Sequence, residues 1–89
     1  MSATRTEVPV LTRLRQALNE VYGDRIEHVV LFGARARGDA RPGSDYDMRC
    51  FLNGPDSFNA EAARLAPIET DILFDTGAVI NAMPFRAGA

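Results

Sequence analysis

The chain has 89 residues, 46% apolar and 25% charged, with a formal net charge of −2. That length makes one domain at most, and burying only roughly 60–65% of the unfolded surface leaves it a thin core. The slightly acidic balance gives no support for general nucleic-acid binding, which needs a basic domain. A single cysteine, Cys50, excludes an intramolecular disulfide, and with only His28 beside it no structural zinc set can be assembled. All ten basic residues are arginine. A Walker-type phosphate loop and a lysine Schiff base are therefore excluded, and phosphate charge must be met by Arg, backbone N–H groups or a metal. No apolar run reaches the length of a membrane span and the N-terminus lacks the apolar core of a signal peptide, so the expected compartment is the cytoplasm.

Residues 1–7 are polar and expected to be a flexible end. Val10, Leu11, Leu14, Leu18 and Val21 recur at spacings of three and four, which predicts a helix over about 9–22 with one apolar face. Pro9 suits its first turn and Gly23-Asp24 ends it. Arg25 to Phe32 reads as a central strand, buried on both faces by its apolar end, with His28 at the sheet's rim. Gly33 breaks that strand, Ala34 to Arg37 is long enough for one helical turn, and Asp39 to Ser44, with Pro42 and Gly43, is a turn. Asp45 to Leu52 is the second strand, with Cys50 packing beside Met48 and Leu52. Asp56 or Ser57 then caps a helix through about Leu65, with Phe58, Ala62 and Leu65 inward and Pro67 as its stop. Thr70 to Phe74 reads as a third strand and Ala78 to Met83 as a short fourth, before a flexible end at 84–89. The Ala78 to Phe85 segment is apolar enough that part of it is expected either to meet a partner or to pack as an edge strand. No C-terminal helix signal follows, which fits a trimmed domain or an end covered by a partner.

The chemistry concentrates between Leu31 and Asp47. Side chains alternate along a strand, so Asp45 and Asp47 project from one face. Two carboxylates at that spacing repel unless a cation or a hydrogen-bond donor sits between them. A hard cation such as Mg²⁺ is commonly held by one or two carboxylates plus substrate phosphates. Gly33, directly after a buried strand, lets backbone approach a ligand, and a short helix beginning there would aim N–H groups at phosphate. Arg35 and Arg37 supply positive charge, and Ser44 can bond a phosphate oxygen or brace the loop. A third acid is expected from a neighbouring strand, Asp71 first and Glu69 second, as the general base that takes a proton from an attacking hydroxyl. Arg49 shares the face of the aspartates and either pairs with Asp47 or Asp71 or lifts its head clear of the sheet.

Gly33-Ala34, ten intervening residues and Asp45-Tyr46-Asp47 resemble the signature of the DNA polymerase beta-like nucleotidyltransferases. The Arg35-Ala36-Arg37-Gly38-Asp39 run and Ser44 also resemble the small bacterial subgroup of minimal nucleotidyltransferases. The resemblance spans roughly residues 8–83 and implies an α/β (α+β) domain, a small mixed sheet flanked by helices. It implies two Mg²⁺ ions, ATP as substrate, and transfer of a nucleoside monophosphate onto a hydroxyl with release of pyrophosphate. By this resemblance Gly33 and Ala34 face the triphosphate, with Arg35, Arg37 and Ser44 beside them. Asp45 and Asp47 hold metal, and Asp71 completes the catalytic set. The partner it implies is a HEPN-type toxin, which the chain would neutralise as an antitoxin, by placing AMP on a tyrosine or by contact alone. Ala34 stands where the family has serine, and losing one hydrogen bond to a charged group costs about 1.5–3 kcal/mol.

Overall fold

A computed structural model describes residues 7–41 and 43–88. Of the expected flexible end at residues 1–7, residues 1–6 lie outside the described residues, as do Pro42 in the expected turn and Ala89 of the expected end at 84–89, whereas Glu7 opens the first helix. The elements run α1 (Glu7–Tyr22), β1 (Ile26–Phe32), α2 (Ala34–Arg37), β2 (Tyr46–Leu52), α3 (Phe58–Thr76) and β3 (Ile80–Arg86), with a 3-10 turn at Gly23–Arg25. The three strands form one sheet in the order β1-β2-β3, with β1 antiparallel and β3 parallel to β2. The result is the small mixed sheet with helices that the sequence implies. None of the described helices is long and apolar enough to cross a membrane.

One face of the sheet is covered. Val10, Leu14, Leu18 and Tyr22 of α1 and Leu65, Ile68 and Ile72 of α3 bury against Ile26, Tyr46, Met48, Cys50, Leu52 and Ile80. Cys50 is a packing residue as expected, and burial pushes its thiol up to about 11. The alternation of β2 is strict. Tyr46, Met48, Cys50 and Leu52 point into the helices, and Asp47, Arg49 and Phe51 point to the other, uncovered side.

Five expectations change. β1 is an edge strand and β2 the central one. Val30 remains 39% exposed because none of the described helices covers its side of the sheet. Val21 is exposed and Tyr22 takes its place in the core, one residue on. The segment read as the third strand, Thr70 to Phe74, belongs to α3, which runs through Pro67 without ending. The buried positions Glu61, Leu65, Ile68 and Ile72 keep helical spacing across the proline. Pro67 itself is exposed, so the carbonyl its ring leaves unbonded faces the solvent side. Phe58, expected inward, is 59% exposed at the first position of α3. Finally, β3 continues past Met83, with Pro84 buried inside it and Arg86 at its end.

Ser57 is the N-cap of α3, its Oγ accepting the N–H of Ala60 at 3.2 Å. At the other end Gly77 takes a left-handed conformation, φ 76°, and its N–H bonds the Leu73 carbonyl. Glu69, just past the middle of α3, accepts the backbone N–H of Ala82 at 2.8 Å and so ties that helix to β3.

Candidate functional site

The uncovered face of the sheet carries the site at one end. Phe32, Asp47 and Asn81 lie side by side across β1, β2 and β3. Tyr46 is the reason both aspartates face outward. Its ring is fully in the core at 1% exposure, so its neighbours on either side must point the other way. The Arg35 guanidinium lies 3.9 Å over that ring from the α2 turn.

Gly33 ends β1 with φ 75° and ψ −152°, a conformation that L side chains rarely adopt. There is a second reason for glycine here. A Cβ at this position would stand 2.6 Å from Asp47 Oδ2. The backbone therefore passes against the carboxylate that the motif supplies. Gly33→Ala is expected to cost about 1–3 kcal/mol through backbone strain and to push the Asp47 carboxylate out of place. A lowered urea midpoint together with a weakened Mg²⁺-induced rise in Tm would be the measured signature. A variant with the wild-type Mg²⁺ response would show that the close approach has no bearing on the site.

The loop from α2 to β2 is braced by its own polar groups. Arg35 donates from Nε and Nη2 to the Ser44 carbonyl at 3.1 and 2.9 Å. Ser44 Oγ accepts the N–H of Arg41 at 2.9 Å. Of the two roles open to Ser44, bracing the loop is the one made, and Arg35 is occupied in the same task. Arg37 is exposed and pairs with Asp39 at 3.2 Å. Ala34 opens α2 directly after Gly33, with its carbonyl accepting the N–H of Asp39 at 2.9 Å.

Between the two aspartates sits a donor. Asn81 Nδ2 lies 2.9 Å from Asp45 Oδ2 and 3.3 Å from Asp47 Oδ1. This amide answers the repulsion that the Asp-x-Asp spacing creates. Sequence reasoning overlooked Asn81, although it is the one polar side chain in the apolar run Ala78 to Met83, and a polar residue so placed on a strand is a signal in itself.

Asp71 is corrected. It lies on α3 at an exposed position instead of on a strand. Among the described residues no three His, Cys, Asp or Glu side chains gather as a metal set. Glu69, the second choice, is engaged with Ala82 as described. Arg49 makes neither expected ion pair. Its guanidinium lies 4.3 Å over the Phe32 ring and 5.8 Å from that of Phe85.

The donor set fits one hard cation. Two carboxylates converge on a single amide, and the oxygen of that amide is itself an acceptable ligand for Mg²⁺ once its nitrogen turns away. A second ion normally needs a third carboxylate, and the described residues bring none there. A cavity of about 240 Å³ between α1 and β1, lined by Leu11, Leu14, Leu18, Val29, Leu31, Met48 and Arg15, lies on the covered side of the sheet, away from the carboxylates.

A family model described as a nucleotidyltransferase domain matches residues 11–86. No curated protein and no solved structure matches the chain.

Proposed function

The chain belongs to the nucleotidyltransferase domain family, and from that premise we propose that it moves a nucleoside monophosphate, AMP from ATP, onto a hydroxyl of a partner polypeptide. The observation that carries this reading is the contact of Gly33 with Asp47, beside an Asp45 that shares the same amide donor. Backbone without a side chain, set against two outward carboxylates, is what a metal-bound triphosphate requires.

Asp45 and Asp47 would hold one Mg²⁺, with the Asn81 side chain turning to offer its oxygen. When bound, the ion neutralises phosphate charge and steadies the leaving pyrophosphate. The chain's own contribution is positioning. The Gly33 to Ala34 backbone borders the phosphates, and Arg37, the more exposed of the two α2 arginines, supplies charge at their rim. Among the described residues no third carboxylate joins Asp45 and Asp47 to take the acceptor's proton, so transfer is slow, by up to about 10²–10⁴-fold, the usual contribution of a general base.

The resemblance of the Arg35 to Asp39 run to minimal nucleotidyltransferases supports a HEPN-type toxin as the acceptor, and an antitoxin role in the cytoplasm. Asn81 favours a second reading, in which the domain neutralises that partner by contact alone. Incubation with labelled ATP, Mg²⁺ and the co-expressed partner separates the two. Label on the partner, lost when Asp45→Ala and Asp47→Ala are combined, is the expected result. A stable complex that never acquires label would establish the contact-only reading.

A further inference from the structure

The uncovered sheet face does not stop at the carboxylates. Below them two further rows cross the strands, Val30 with Arg49 and Met83, then His28 with Phe51 and Phe85. His28 and Phe51 stack at 4.4 Å and 13°, and Phe51 and Phe85 at 5.6 Å and 27°. The rings engage one another, which leaves fewer open π-faces of the kind on which nucleic-acid bases stack and suits an apolar partner better. Val30, Met83 and Phe85 are 39%, 43% and 36% exposed. The patch is continuous with the site, because Phe32 belongs both to the row of Asp47 and to the ring contact of Arg49.

Arg49 stands at the centre. It touches Phe32 and Phe85 and has no carboxylate partner among the described residues. A guanidinium held on apolar rings keeps its N–H groups available to an incoming acid. An apolar sheet face ordinarily buries against a helix. We infer that this face is where the acceptor polypeptide docks, through a helix with an apolar stripe and a carboxylate that meets Arg49. The inference rests on the proposed transfer reaction for what the docked chain is for. Strand geometry sets the register. Asp47 lies about 7 Å and Asp45 about 13 Å along β2 from Arg49, so the acceptor's hydroxyl side chain falls one to two helical turns, about 5–11 Å, from its acid.

The test needs neither ATP nor Mg²⁺, so it can fail while the transfer reaction stands. A random library of displayed 18-residue peptides is selected on the full chain and the enriched peptides are measured by fluorescence anisotropy. The expected peptides carry an apolar stripe and an acid and weaken about tenfold or more against Arg49→Glu. Replacing the peptide's acid by Arg restores binding to that variant, a rescue that a misfolded variant cannot give. Phe85→Ser weakens binding, and Arg13→Ala, on the helix side of the fold where Arg13 pairs with Asp75, leaves it unchanged. Three outcomes overturn the inference. One is enriched peptides that bind Arg49→Glu as well as wild type. Another is a library with no binders while an oligo-uridine probe binds this face. The third is a dimer of the free protein that Arg49→Glu dissolves, which would assign the face to a second copy.

Discussion

Asn81→Asp gives a protein that binds Mg²⁺ at least about tenfold more tightly and transfers nucleotide roughly 10²-fold faster than wild type, within the range a positioned general base supplies. The register fixes the outcome. Residue 81 pairs directly with Asp47 across the parallel β2 and β3 strands, and its amide already reaches both aspartates. The substitution changes one atom group from donor to acceptor without moving the backbone. The metal-free variant then loses the hydrogen bonds that quiet Asp45 and Asp47 and gains a third negative charge beside them, so its Tm in EDTA falls below wild type. Mg²⁺ restores it, because three carboxylates now share a cation that the neutral wild-type amide attracts less strongly. Thermal melts with and without Mg²⁺ read the first effect and labelled transfer reads the second. An unchanged Tm in EDTA, or an equal Mg²⁺ response in both proteins, would mean that Asn81 does not govern the pair.

The same substitution weighs the two functional readings against each other. If contact alone is the function, Asn81 is a lock that holds the carboxylates together where an enzyme would hold metal. Asn81→Asp should then leave partner neutralisation intact in the absence of ATP. If transfer is the function, neutralisation by the wild type needs ATP, and the variant reaches it sooner.

The carboxylate end of the site was legible because its signals are local. Gly33, Asp45 and Asp47 stand on a strand end and a strand start whose alternation reads directly from neighbouring residues. The helix α1 was legible for the same reason. What failed depends on neighbours distant in the chain. Ile72-Leu73-Phe74 looks like a strand as a run of apolar residues. Only its phase with Leu65 and Ile68, across Pro67, marks it as helix, and a solvent-facing proline does not break that phase. A third acid expected on such a strand leads to Asp71 and away from Asn81, which stands on β3. Central and edge strands cannot be told apart from the apolar run of β1 either, because the uncovered face is itself apolar, with Val30 and Phe32 on it. Here apolar side chains do not mark the core alone. They also mark the surface we assign to the acceptor.

Glu61 carries the second large effect, and no pattern in the sequence announces it. It is the one buried charged side chain among the described residues, at 0% exposure. Its Oε2 accepts the N–H of Asp56 at 2.8 Å and Nη2 of Arg25 at 3.0 Å, and its Oε1 accepts Nη1 of Arg64 at 2.8 Å. Arg25 continues to the Gly54 carbonyl at 3.2 Å, and Arg64 to Asp56 at 2.6 Å. One carboxylate thus joins the end of the 3-10 turn, the loop after β2 and the first turn of α3. Burial alone would raise its pKa, but the Asp56 N–H and Arg64 outweigh it and hold the group down at about 2, against an ordinary 4.5. Burial, and then the charge of Glu61, pushes the Tyr22 phenol up to about 12. The sign follows from the direction. The unfolded chain takes up the proton near pH 4.5 and the folded chain only near 2, so the stabilisation is complete above about pH 5 and drains away as pH falls toward 2. A depression of that size is on the order of 3 kcal/mol, a large share of what so small a core provides. Glu61→Gln keeps the shape but leaves Arg25 and Arg64 facing a neutral amide, and costs about 3 kcal/mol near neutral pH, where breaking a buried pair typically costs 3–5. Urea midpoints between pH 7 and 2.5 test both statements together. Wild type should lose stability steeply through the acid range while the variant, weaker at the start, declines less, and the two curves should converge near pH 2.5. Parallel curves would assign the acid loss to other carboxylates and leave Glu61 a packing residue.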